Sequence, residues 1–288
     1  MIMKYGVIDI GSNSVRLMMS DGENTLYKTV KTTQLAEGMG EDNYLQPLAI
    51  ERTALAVSFF NQRAKKEGAE KVFVFATAAI RQAINGNEFL TEVRRISGIE
   101  VDVVSGEFEA ELGLIGALNG RDGGVVDVGG ASSEVIVVSN GEKIYAKSVD
   151  VGAVKVKDVC GQDQVKGSEY IDLKMRSFDK IPNAELCAIG GTATSLAAIL
   201  QELAVYDPDK INGYEISVEE LGALTDKLYS LTIGARRKLK GLQAGRAEII
   251  AGGAMILYKI ALKAGVDKIT VSERDNLEGY LKVKLEKI

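Results

Sequence analysis

Two short stretches place aspartate, glycine and small hydroxyl residues in the same order. Gly6-Val-Ile-Asp9-Ile-Gly11-Ser12-Asn13-Ser14 is echoed by Gly124-Val-Val-Asp127-Val-Gly129-Gly130-Ala131-Ser132, with Asp127 standing 118 residues after Asp9. Each begins as an apolar run, breaks at a turn of small residues and resumes as a second apolar run, Val15 to Met19 and Val135 to Val138. Backbone amides in such a hairpin can point at one spot and form an anion nest, and glycine lets a phosphate approach without a Cβ in the way. Asp9 and Asp127 would repel a phosphate unless a divalent cation lay between them, so the pairing suggests phosphate bound together with Mg²⁺. Either turn alone reads equally well as a tight Asx-type hairpin. It is the matched pair that points to a phosphoryl chain held from two sides.

The absence of histidine narrows the remaining chemistry. It removes Ser-His-Asp and Cys-His triads and any His-ligated zinc or haem site. Acid–base work falls to carboxylates, and a metal would be a hard, oxygen-liganded cation, Mg²⁺ or Mn²⁺. Cys160 and Cys187 are too few for a disulfide scaffold and too far apart for CxxC chemistry.

The elements that must position these residues alternate between strand and helix. Tyr5–Ile10, Val15–Met19, Lys71–Phe75 and Ile99–Val104 read as strands. Pro47–Glu67, a stretch from Ala78 and Glu107–Leu118 read as helices. A second, weaker echo relates Val72–Ala78 to Leu186–Ala193, each an apolar strand opening into Thr-Ala. The expectation is an α/β chain of two duplicated halves, residues 1–120 and 121–288, with an interdomain cleft and a hinge at Leu118–Gly124. At 288 residues and a net charge of −5, with no basic block, a nucleic-acid partner is not expected. The N-terminus turns polar too early for a signal peptide and no run of about 18 apolar residues occurs, so the expected location is cytoplasmic, away from membranes.

Several segments in order resemble the exopolyphosphatase/guanosine pentaphosphate phosphohydrolase (Ppx/GppA) family of the acetate and sugar kinase, Hsp70 and actin superfamily. They are Ile8-Asp-Ile-Gly-Ser-Asn-Ser-Val-Arg16-Leu, Ala76-Thr77-Ala-Ala-Ile-Arg81, Ser105-Gly-Glu-Phe-Glu109, Val126-Asp-Val-Gly-Gly-Ala-Ser-Ser133-Glu134, Gly190-Gly191-Thr192-Ala-Thr194, Arg246–Ala254 and Ser272-Glu-Arg274. The resemblance implies two actin-like (ribonuclease H-like) domains and a metal-dependent hydrolase that releases terminal phosphate from polyphosphate or guanosine pentaphosphate. It implies phosphate loops at Gly11–Ser14 and Gly129–Ser133, and metal or water-organising carboxylates at Asp127 and Glu134, with Asp9 opposite. It also implies Glu109 as the catalytic carboxylate and a homodimer.

A carboxylate suits that role, since phosphoanhydride hydrolysis needs a water aligned with the leaving oxygen; Glu107 and Glu111 flank it as competitors. Arg16, in an otherwise apolar strand, and Arg81, beyond Thr77 as a candidate cap, are the expected phosphate cations. Gly191 and Thr192 would supply a third set of amides. Three departures stand out: Ala131 in a glycine-rich loop, strained if that position needs positive φ; Phe108 beside Glu109; and Leu277 in place of an arginine. A small-molecule kinase and a non-catalytic polyphosphate or alarmone sensor stay open as alternatives.

Overall fold

The computed structural model describes residues 3–40 and 42–287. Apolar strands of the first half, β1 (Lys4–Ile10), β2 (Ser14–Ser20), β3 (Thr25–Thr32), β4 (Ala69–Ala76) and β5 (Asp102–Val103), form one sheet in the order β3-β2-β1-β4-β5. β1 runs antiparallel to β2 and parallel to β4, so the connection to β4 needs a crossover helix, Pro47–Lys66.

The second half repeats the plan. β6 (Gly123–Val128), β7 (Ser133–Ser139), β8 (Glu142–Val149), β9 (Leu186–Ile189), β10 (Glu215–Ser217) and β11 (Lys268–Val271) order as β10-β11-β9-β6-β7-β8. β6 is antiparallel to β7 and parallel to β9, as β1 is to β2 and β4. The duplication expected from the motifs is thus present in strand order and direction, with β10 as an addition at one edge.

β1 is covered on both faces, which is why it reads as an almost unbroken apolar run. Ile8 and Ile10 join Val57 and Phe60 of the crossover helix in one core, whereas Val7 joins Phe75, Leu277 and Tyr280 in another. That second cluster shows that the last helix, Asn276–Leu285, packs on the first sheet although it follows the second in sequence. Phe75 and Tyr280 meet at a ring separation of 4.4 Å. Helix Gly106–Leu118 does the converse, burying Ala110, Ala117 and Leu118 against Val125 and Ile136 of the second sheet. The two helices pack together between the halves, and both begin at the cleft.

Local details differ from expectation at two elements. The strand expected over Ile99–Val104 is only Asp102–Val103, because Ser105 already caps the next helix, accepting from the Phe108 amide at 3.2 Å. The helix expected from Ala78 is a single turn, Ala78–Gln82, followed by a separate helix, Gly86–Ser97. Among the described residues no helix is long and apolar enough to cross a membrane.

Candidate active site

The β1–β2 and β6–β7 hairpins close in the same way. Gly11 N donates to Ser14 O at 3.0 Å, and Gly129 N donates to Ser132 O at 3.0 Å. Their carbonyls are drawn outward: Asn13 O accepts from Thr33 and Gln34, while Gly130 O accepts from Val154 and Lys155 at the start of helix Ala153–Cys160. The amides of Ser12, Asn13, Gly130 and Ala131 have no acceptor among the described residues. Ser12, Asn13 and Gly130 line the cleft between the two turns, so their amides are free to meet an anion there.

The two turns meet. A Cβ on Gly130 would lie 2.6 Å from Ser12 Cβ, so the chain there must be glycine for the loops to touch. Between and above them opens a cleft of about 680 Å³, lined by residues of both turns together with Asp9, Arg16, Thr77, Glu109, Asp127, Gly191, Thr192 and Arg246. Ala131 is buried with its backbone outside the left-handed region, as are Gly11, Gly129 and Gly130. The strain anticipated at Ala131 is therefore absent, and the turns owe their glycines to close approach rather than to positive φ.

Charge is arranged asymmetrically. In the first half the cross-strand partner of Asp9 is Arg16, and Asp9 Oδ2 accepts from Arg16 Nε at 2.9 Å and Nη2 at 2.6 Å. Arg16 Nη1 donates to Asp275 Oδ2 at 2.5 Å, so this cation is already held by two carboxylates. In the second half the equivalent cross-strand partner of Asp127 is Glu134, a like charge. Asp127 Oδ2 accepts from Asn276 Nδ2 at 3.0 Å. Glu134 is buried behind the cleft lining. Its Oε1 accepts from the hydroxyls of Ser132 and Ser148, both at 2.6 Å, and its Oε2 is buried with no partner among the described residues.

Glu109 sits in the first turn of its helix, buried and facing the cleft, whereas Glu107 is exposed and Glu111 pairs with Lys143. The structure thereby separates Glu109 from its competitors. Its Oε2 accepts from Arg81 Nη1 at 2.9 Å, and Arg81 Nη2 stands 3.9 Å from Glu134 Oε1. Arg81 thus clamps carboxylates from a layer behind the cleft. Burial, then the Glu134 charge, pushes the Glu109 carboxyl well above the usual range against the pull of Arg81. Burial and Glu134 likewise push Asp127 up to about 8, and burial raises Glu134.

Three further expected residues have defined places. Thr77 lines the cleft without capping its helix. Thr192 Oγ1 donates to Val128 O at 2.7 Å, pinning the end of β6. Ser133 is fully buried, donating to Val151 O at 2.6 Å, and lies with Ala131 outside the lining.

Sequence reasoning missed Arg246, Asn276, Asp275 and Ser148. The Arg246 side chain lines the cleft with no ion pair or hydrogen bond among the described residues, and burial together with Arg16 lowers its guanidinium to about 10. Its signal was an arginine opening the apolar run Arg246–Ala254. Gly191 exists to admit it: a Cβ there would lie 2.0 Å from Arg246 Nη2. The neighbouring Gly190, at φ +77°, passes close to Asp127 Oδ1.

A divalent cation fits the donor set. Asp9 Oδ1 and Glu134 Oε2 are buried without partners among the described residues, and burial holds the carboxyls of Asp9, Glu109, Asp127 and Glu134 above their ordinary range. Among the described residues no three acidic side chains converge as a ready-made cage. That suits Mg²⁺, which takes one or two carboxylates and fills its shell with water and phosphate oxygens.

The model of the Ppx/GppA phosphatase family matches residues 17–287. The chain is 28% identical to exopolyphosphatase 2 of Mycobacterium tuberculosis (strain ATCC 25618 / H37Rv), over 96% of its own length and 97% of that protein. It is 25% identical to the guanosine-5'-triphosphate,3'-diphosphate pyrophosphatase of Pseudoalteromonas translucida, over 96% of this chain but 58% of that longer one. Among solved structures, the Aquifex aeolicus member of the Ppx/GppA protein family superposes with a TM-score of 0.79 at 27% identity, covering 99% of this chain and 98% of that one.

Proposed function

Because the chain belongs to the Ppx/GppA phosphatase family, we propose that its cleft hydrolyses the terminal phosphoanhydride bond of polyphosphate or guanosine pentaphosphate with a divalent metal ion. The relatives named for these two activities support the pair of substrates. The observation that carries the reading is the meeting of both turns under Glu109, the one acidic residue of its helix turn that lines the cleft.

The free amides of Ser12, Asn13 and Gly130, which line the cleft, would bind phosphoryl oxygens, with Arg246 as the cation not already engaged. Asp127 and the open Oδ1 of Asp9 would hold Mg²⁺ or Mn²⁺, with Glu134 acting from behind through water. When bound, that ion neutralises phosphoryl charge and lowers the carboxyl pKa values around it. Glu109 orients a water in line with the bridging oxygen and accepts its proton as the new P–O bond forms. The old P–O bond breaks and its electron pair leaves with the shortened phosphate chain. Arg81, bonded to Glu109 Oε2, fixes the direction of that carboxylate.

The test is release of orthophosphate from polyphosphate and from guanosine pentaphosphate with Mg²⁺ or Mn²⁺, using Glu109→Gln as control. Release from neither substrate by the wild-type protein refutes the proposal.

A further inference from the structure

Beside the cleft, past Arg16 and Arg246, lies a second compartment of about 850 Å³, lined also by Lys28, Tyr206, Glu273 and Asp275. A polyanion in the cleft would meet these cations, yet most are already neutralised. Arg16 Nη1 lies 2.5 Å from Asp275 Oδ2, and Lys28 Nζ lies 3.9 Å from Asp275 Oδ1 and 2.9 Å from Glu278 Oε1. Arg246 alone of the three has no acidic partner among the described residues.

Asp275 cannot swing aside to release them. It is the N-cap of helix Asn276–Leu285, its Oδ1 accepting from the Leu277 amide at 3.0 Å, and Glu278 returns a bond to its own amide. Its side chain is only 6% exposed and that of Arg16 20%, so solvent screens the pair weakly. A phosphate approaching Arg16 therefore meets a fixed negative charge on the same guanidinium.

We propose that Asp275 is a specificity-determining residue that limits how much negative charge the cleft accepts, by holding Arg16 and Lys28 in ion pairs. It acts through those cations rather than on the reacting atoms. The inference rests on the cleft being the phosphate site proposed above.

Asp275→Asn keeps an oxygen for the helix cap, removes the charge and replaces the oxygen facing Arg16 by an amide NH2 that cannot hold it. KM for phosphate release is compared for wild type and variant on tripolyphosphate and on long-chain polyphosphate, with the dissociation constant of tripolyphosphate measured by calorimetry. The expected result is about a tenfold lower KM on the long chain, equivalent to about 1.4 kcal/mol, a smaller drop on tripolyphosphate, and a gain that shrinks with added salt. A raised KM, or a fall in kcat at constant KM, would overturn the inference and make Asp275 a support for Arg16; an equal gain on both substrates overturns it too. Should Asp275→Asn fail to fold, Glu278→Gln, which frees Lys28, must shift KM in the same direction. If wild type releases no phosphate, the functional reading has failed, and unchanged tripolyphosphate affinity in the variant separately defeats the charge limit.

Discussion

Gly191→Ala is a small change with a large expected effect. The added Cβ would lie 2.0 Å from Arg246 Nη2 and 2.3 Å from both Cζ and Nη1. Ordinary contact is about 3.5 Å, so the guanidinium must retreat by about 1.5 Å. A displacement of about 1 Å at a positioning group can cost on the order of 100-fold in rate, which is about 2.7 kcal/mol of transition-state stabilisation. The fold should tolerate the change, because the obstructing atoms are the end of a long side chain. Alanine in the first turn of helix Gly190–Leu200 also improves helix propensity by up to about 1 kcal/mol over glycine.

The expected outcome is thus a kcat/KM for phosphate release about 100-fold below wild type, with an unchanged or slightly higher Tm. Arg246→Lys supplies the decisive arm. If Gly191→Ala acts by displacing Arg246, the double variant loses little more than Arg246→Lys alone. Additive losses, or a Gly191→Ala enzyme within threefold of wild type, would refute the assignment of Arg246 as the working cation.

Other outcomes follow from the carboxylates. Glu109→Gln keeps the shape and the Arg81 contact but cannot take a proton, so kcat should fall by roughly 10²–10⁴ while substrate binding, followed by calorimetry, persists. Asp127 titrates at about 8 in the folded protein against about 4 when unfolded, so the folded state holds the extra proton. Metal-free protein should therefore lose stability as pH rises from 4 to 8, and Asp127→Asn should flatten that decline in a series of thermal melts. Ser148→Ala removes one of two hydroxyl donors to Glu134. The Glu134 carboxyl should then titrate higher, and as its charge is lost Glu109 is relieved of that repulsion, moving the acid limb of the pH–rate profile downward with KM little changed.

What was legible in the sequence was local. The Asp-x-Gly turns could be read because a hairpin is specified by neighbouring residues, and their common offset predicted the repeated strand order. Glu109 was singled out by the family resemblance, whereas the local pattern left Glu107 and Glu111 as competitors, since that choice depends on which side of the helix meets the second sheet. Of the two carboxylates that hold Arg16, Asp275 lies 259 positions away, so a cation that reads locally as available is doubly engaged in the fold. Arg246 reads as one more charge at a helix start until the glycine that admits it comes alongside. Ala131 misled because a glycine-rich loop suggests positive φ, whereas these glycines make room for the opposite turn. The last helix returns to the first sheet, a placement that depends on Leu277 and Tyr280 matching Val7 and Phe75.

The repeat also explains why chemistry belongs to one half. Superposed by their shared offset, the two hairpins place Arg16 where Glu134 stands, opposite the paired aspartates. In the first half that position makes an ion pair, which keeps Asp9 largely engaged and turns the hairpin into an anchor. In the second it makes a like-charge pair beneath Glu109: burial raises Glu109, Asp127 and Glu134, as it does Asp9, and the Glu134 charge adds to the rise of Glu109 and Asp127. An incoming cation or proton would offset that charge, which is the place the proposed function gives to a metal-bound phosphate. One duplicated backbone thus yields a passive grip and a reactive one, and the difference lies in the sign of a single cross-strand side chain.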